Sequence, residues 1–289
     1  MSDAVIRPAR ADDQPAIAAF TTDTFSWGDY VSDVFLDWLA DSRARVAVAT
    51  VDDQPVAVAR AVMMSETEGW MHGARVHPDH RRQGLATRLN HALSDWAREQ
   101  GALVVRLMIE SWNDAAQRQV ELAGYRRVCE WLHATRTLGS EPDPVSNGGR
   151  RVPGDEQLAV ASPAEIEPAW VAWSVSELAR TGRALYPRGW LMRRMTQQDL
   201  VQAVEDKRLL YGASGWIVAE PEDETMFVPF FVATEDDGYR LARAVVDRAD
   251  RKGYQRIRLL VPAVDWAPDA LERAGFDLTG DQIWERTLV

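Results

Sequence analysis

Apolar residues recur at helical spacing between Leu85 and Gly101. Leu85, Leu89, Leu93 and Trp96 form one stripe with Ala92 and Ala97 beside it, while Arg88, Asp95, Arg98 and Glu99 fall opposite. That spacing predicts an amphipathic helix, and Gly101 marks its stop. Behind it, Leu103 to Ile109 is a nearly continuous apolar run, the pattern of a strand buried on both faces. Ahead of it, Trp70–Val76 reads as a strand that Pro78 and Asp79 end with turn chemistry. Strand, loop, helix and strand follow one another within about forty residues.

The loop between the first strand and the helix reads Arg81-Arg82-Gln83-Gly84-Leu85-Ala86. Gly84 and Ala86 keep bulk away from the backbone, so its N–H groups are free to point at an anion. The N-terminus of the helix adds partial positive charge, and Arg81 and Arg82 add full charges. The six residues therefore predict a phosphate site, on the strength of their position more than of their letters.

The pattern then repeats. Residues 139–154 are crowded with Gly, Pro, Ser and Asn and have no apolar period, the composition of a linker. Gly101-Ala-Leu-Val-Val-Arg-Leu-Met-Ile109 lines up with Gly253-Tyr-Gln-Arg-Ile-Arg-Leu-Leu-Val261, and Glu121-Leu-Ala-Gly-Tyr125 with Glu272-Arg-Ala-Gly-Phe276. Pro15-Ala16 matches Pro168-Ala169, so the offset stays near 152 residues throughout. Two copies of one fold are expected, over 1–138 and 155–289. In the second copy, strands are predicted near Arg208–Tyr211, Trp216–Ala219, Met226–Ala233 and Arg256–Val261, with a helix over Tyr239–Lys252. Carried across, the phosphate loop corresponds to Ala233-Thr234-Glu235-Asp236-Asp237-Gly238. Both arginines and the glycine at position 84 are gone, and the three carboxylates now in the segment would repel a phosphate, so only the first copy is expected to hold one.

Composition narrows the function. A chain of 289 residues suits two domains of ordinary size. No stretch approaches the roughly 20 apolar residues of a membrane span, and the charged residues Asp3, Arg7 and Arg10 argue against a secretory leader. A cytoplasmic protein with no membrane partner is expected. The one cysteine, Cys129, excludes an intramolecular disulfide and a multi-cysteine metal site. His77 and His80 lack a third ligand nearby, so no metal is expected. A net charge of −11 argues against nucleic acid as partner and is compatible with a cationic substrate.

These motifs, together with Arg75-Val76-His77-Pro78 and Asn113-Asp-Ala-Ala116 followed by Gly124-Tyr125, resemble the GNAT superfamily of acetyl-CoA-dependent N-acetyltransferases. The resemblance covers most of residues 4–137, and the whole chain looks like a tandem member with a degenerate second copy. It implies an α/β fold in which each copy is a mixed, mostly antiparallel sheet flanked by helices. The central parallel strands splay apart, and acetyl-CoA lies in the opening. It further implies that Val76 backs the pantetheine arm and that Arg81, Arg82, Gln83, Gly84, Leu85, Ala86 and Thr87 form the pyrophosphate loop. Asn113 matches the asparagine that members use near that arm. The acceptor side falls at Trp27, Asp29, Tyr30 and Trp38.

The expected reaction is direct transfer of an acetyl group to a small amine in a ternary complex, by a monomer or homodimer. Glu110 and Glu68 are the leading candidate bases, ahead of Glu66, His72 and Asp29. One position departs from the family pattern. Many members carry a tyrosine acid seven residues after the asparagine, and here that residue is Val120. The departure keeps open an acyl-CoA-binding sensor or pseudoenzyme as an alternative function. A thiol synthase, which also occurs in tandem form, is a lesser rival.

Overall fold

The computed structural model describes residues 4–22, 28–139 and 157–288. The chain divides into two compact units that are not contiguous in sequence. The first holds residues 1–109, 113–128 and 283–289, and the second holds 110–112 and 129–282. The expected boundary at 139–154 is therefore crossed twice: residues 129–137 join the second unit and 283–288 the first.

In the first unit the elements run β1 (Val5–Pro8), α1 (Gln14–Thr21), α2 (Val31–Ala40), β2 (Ala44–Val51), β3 (Gln54–Met63), β4 (Glu68–Val76), α3 (Leu85–Glu99), β5 (Val104–Glu110) and α4 (Asp114–Leu122). The strands are ordered β1-β2-β3-β4-β5, antiparallel except for the parallel β4–β5 pair. Side-chain size explains how helices settle on both faces. Ala47, Ala49, Ala57, Ala59 and Ala61 lie under α3, where Leu85, Leu89, Leu93 and Ala97 pack onto them. Val46, Val48 and Val58 turn to the other face and meet Ile17, Phe35 and Trp38 of α1 and α2. Alternation along each strand thus assigns a shallow alanine face to the long helix.

The second unit begins within β6 (Arg126–Thr137), at Cys129. It continues through β7 (Ala159–Val160), α5 (Ile166–Val175), α6 (Glu177–Thr181), β8 (Leu185–Arg188), β9 (Leu191–Arg194), α7 (Gln197–Glu205), β10 (Leu209–Gly212), β11 (Gly215–Glu222), β12 (Thr225–Val232), α8 (Glu235–Arg251), β13 (Arg256–Pro262) and α9 (Ala267–Arg273). Its main strands are ordered β7-β10-β11-β12-β13-β6, and β12–β13 is the parallel pair. The last strand, β14 (Asp277–Thr287), starts in the second unit and enters the first at Ile283, beside β5. The backbone N–H of Leu288 donates to the carbonyl of Leu103 at 2.9 Å.

Two expectations for the second copy shift. α8 begins at Glu235, four residues before Tyr239, because three acidic residues make a favourable first turn. β11 runs on to Glu222 rather than ending at Ala219. Among the described residues, no helix is long and apolar enough to cross a membrane.

Candidate active site

β4 and β5 pair only from Glu68 with Val104 to Trp70 with Arg106. Beyond those residues the ladder ends and the two strands run on without pairing, which leaves the opening expected between them. Within it β4 is irregular. Its register against β3 passes from Val58–Arg75 to Arg60–His72, so β4 carries one extra residue there. Gly73 sits in this bulge at φ +68°, and a Cβ on it would overlap the ring of Trp38. Only glycine satisfies both demands. A bulge breaks the regular alternation of the strand and re-aims its backbone groups locally.

β4 ends at Val76, which is half-buried. A short turn over Pro78–His80 leads into the loop. Arg82 and Gly84 both take left-handed backbone, at φ +61° and +73°. Arg81 Nε donates to the Val76 carbonyl at 3.3 Å, and Gln83 Nε2 donates to the Asp79 carbonyl at 3.4 Å. Residues 81–84 are exposed, while Leu85 plugs into the core under α3. Gly84 is the residue before the first turn of α3 and offers no side chain to cap it. A Cβ built on Gly84 would meet nothing within 4 Å. α3 therefore starts uncapped, next to exposed Arg81 and Arg82, an arrangement whose chemistry suits an anion. Thr87 sits one turn in, with its Oγ1 3.4 Å from Gln119 Nε2 of α4. Asn113 caps α4: its Oδ1 accepts from the N–H of Ala116 at 3.2 Å.

The acceptor-side residues divide. Trp27 lies outside the described residues. Asp29 is fully engaged: its buried carboxylate accepts from Arg75 Nε at 2.5 Å and from the N–H of Val31 at 3.0 Å. Trp38 is core, filling the bulge and lying edge-on to His72 at 5.0 Å. Tyr30, 40% exposed and edge-on to Trp38, is the aromatic residue of this group that faces solvent. His72 is no base. Burial, with Arg60 and then Arg75 adding repulsion, pushes it down to about 3. Its Nε2 lies 2.9 Å from Arg60 Nη1 and acts as the acceptor, so the proton stays on Nδ1.

The two carboxylates proposed as bases lie far apart, Glu68 at the start of β4, where it pairs with β5, and Glu110 at the end of β5. Glu68 is buried at the closed end and pairs with Arg106 Nη1 at 2.5 Å, while Glu285 of β14 accepts from Arg106 Nε at 2.8 Å. Holding that buried cation is a structural task, which argues against Glu68 as a base. Glu110 is the exposed last residue of β5. Next to it, the Ser111 N–H donates to the Gly280 carbonyl at 2.8 Å. Asp281 is 4% exposed, and burial followed by the charge of Glu110 pushes its carboxyl up to about 6. Sequence reasoning missed Asp281, and no local signal marks it. It also missed the bulge, for which a lone glycine within a strand is a signal. Val120 and Tyr125 are both buried, and burial pushes the Tyr125 phenol up to about 12.

The second unit repeats the plan with different residues at the corresponding places. β12 and β13 pair from Thr225 with Arg256 to Val228 with Leu259. β12 also bulges, between Phe227 and Phe230, where Pro229 has no N–H to offer. The six-residue correspondence with the anion loop does not hold residue by residue. Residues 77–84 separate β4 from α3, whereas only Ala233 and Thr234 separate β12 from α8. Glu235, Asp236 and Asp237 belong to the first turn of α8, and Gly238 lies inside that helix, packed on Trp266.

Comparison with known proteins agrees with this geometry. The Acetyltransferase (GNAT) family profile matches residues 14–125. No curated protein matches the chain. Among solved structures, it is similar to a GCN5-related N-acetyltransferase from Sphaerobacter thermophilus, with 19% identity, a TM-score of 0.69, and 98% of this chain and 95% of that one covered. A tandem GNAT protein from the clavulanic acid biosynthesis pathway aligns over 99% of this chain and 98% of its own, with 11% identity and a TM-score of 0.59. A GCN5-related N-acetyltransferase from Kribbella flavida gives 14% identity and a TM-score of 0.53, covering 99% of this chain and 71% of that one. At these identities the likeness is one of fold. The splayed strands, the bulge and the Arg81–Ala86 loop thus lie in a segment, residues 14–125, that matches the Acetyltransferase (GNAT) family, within a chain that shares the fold of tandem GNAT structures over its whole length.

Proposed function

We propose that the protein is an N-acetyltransferase that moves an acetyl group from acetyl-CoA to a small-molecule amine by direct attack in a ternary complex. The observation that carries this reading is the uncapped start of α3 at Gly84, set at the end of a bulged β4 that has parted from β5. Arg81, Arg82 and the N–H groups of residues 83–87 would hold the pyrophosphate. Val76 would line the pantetheine arm, and Asn113 would stand near it.

In the reaction the amine lone pair attacks the thioester carbonyl, the C–S bond breaks, and the CoA thiolate leaves. The proton lost by the ammonium goes to a base, for which we retain Glu110 over Glu68. Backbone N–H groups at the Gly73 bulge would steady the negative charge on the carbonyl oxygen. With Val120 buried and Tyr125 held neutral in the core, no side chain is assigned as acid; a thiolate is a good leaving group without one.

A second reading, an acyl-CoA-binding sensor without turnover, draws its support from Val120. Release of the CoA thiol from acetyl-CoA, assayed across a panel of amines, decides between them. Turnover with any amine supports the transferase. Tight acetyl-CoA binding with no thiol release across the panel supports the sensor.

A further inference from the structure

The second unit keeps an open cavity of about 430 Å³ where β12 ends and α8 begins. In the first unit the corresponding end of β4 carries the anion loop. The volume is that of a small-molecule site. Leu178, Val232 and the rings of Trp216 and Trp266 give it apolar walls. Both rings are fixed in place. Trp216 donates its Nε1–H to Glu165 at 2.9 Å, and Trp266 is pressed onto Gly238, where any Cβ would overlap it.

The ionisable residues that line this cavity are all acidic. Its ionisable lining residues are Glu177, Glu235 and Asp237, and among the described residues no arginine or lysine lines it. Asp237 is engaged by Arg240 and by Thr234 Oγ1. Glu177 and Glu235 are exposed at the rim. The partial positive charge at the start of α8 is outweighed by Glu235, Asp236 and Asp237 in its first turn.

We propose that this cavity binds an organic ammonium ion, with its cationic head against Trp266 and the rim carboxylates and its apolar body between the two indoles. The negative face of an indole and a carboxylate attract a cation together, and a rigid aromatic wall loses little freedom on binding. An anion such as a CoA phosphate is repelled there, and a neutral apolar ligand gains nothing from the rim. The site stands apart from acyl transfer, and nothing in it depends on the first unit's chemistry.

Calorimetric titration of the full chain with benzyltrimethylammonium tests it, with benzyl alcohol and phenylacetate as neutral and anionic controls. The cation is expected to bind at least about tenfold more tightly than either control, and less tightly as salt is raised. Trp266→Leu is expected to weaken it about fivefold or more, and the Glu177→Gln/Glu235→Gln double variant to weaken it several-fold. If Trp266→Leu does not fold, as judged by circular dichroism, Trp216→Phe and the double variant carry the test. Equal binding of benzyl alcohol, no binding of the cation, or affinity unchanged in the variants that fold would each overturn the proposal.

Discussion

At the scale of single residues, two glycines do different work. Gly73 is required by contact and by backbone conformation together, since Trp38 fills the space above it. Gly84 has empty space around it and is required by its left-handed backbone alone. That difference separates strain from charge. Gly84→Ala is expected to cost about 1 kcal/mol of stability and leave most acetyl-CoA affinity in place. Gly84→Glu puts a carboxylate where the pyrophosphate belongs and is expected to abolish binding by calorimetry; equal affinity in both variants would remove the loop from the cofactor site.

Asp281 gives a second prediction at this scale. Its carboxyl titrates near 6 in the fold against an ordinary value of 3.8, so folding favours the protonated form. That contribution is complete below the ordinary value and is lost as pH rises through about 6. Asp281→Asn should therefore stabilise the protein at about pH 8 by on the order of 1–3 kcal/mol and change little near pH 4. Urea unfolding at the two pH values checks this, and an equal gain at both would refute it. The exposed loop and the helix start after Gly84 were legible in the sequence because arginines, glycine and helix start share one short window. Neither Trp38 over Gly73 nor Asp281 beside Glu110 was legible, because each contact joins residues distant along the chain.

At the scale of elements, the decisive comparison is between the two strand–helix junctions. α3 and α8 are both long amphipathic helices, buried along Leu85, Leu89 and Leu93 in one and Leu241, Val245 and Ala249 in the other. Their apolar periods were readable for that reason. The junctions ahead of them differ in length, which an alignment by composition alone hid: six letters were matched where the second copy has two connecting residues and then helix. With its loop shortened, its first turn acidic and Pro229 in its bulge, the second copy lacks an N–H in the β12 bulge and is expected not to hold a phosphate. Calorimetry on the full chain should give one acetyl-CoA per molecule. Two equivalent sites would contradict the proposal that only the first unit binds the cofactor.

At the scale of the whole molecule, sequence order and spatial units part company. The repeat correctly predicted two copies of one fold, but a linker composition at 139–154 says nothing about which strand completes which sheet. Unit one needs residues 283–288, and Glu285 among them helps hold the buried guanidinium of Arg106. Removing one partner of a buried charge costs on the order of 3 kcal/mol. A fragment of residues 1–139 is therefore expected to aggregate or stay partly unfolded, and to be rescued when residues 157–289 are co-expressed. A monomeric, folded 1–139 fragment that binds acetyl-CoA with full affinity would show the late strand to be dispensable.

That late strand also sets a clock. Residues 283–288 leave the ribosome about 170 residues after β5, and at roughly 5–20 residues per second the wait is on the order of ten seconds or more. Throughout it, the nascent first unit exposes an unpaired strand edge and a guanidinium with half of its carboxylates. The half of the protein that is translated first is thus the half that closes last, and a need for chaperones during synthesis is expected from where one strand is encoded.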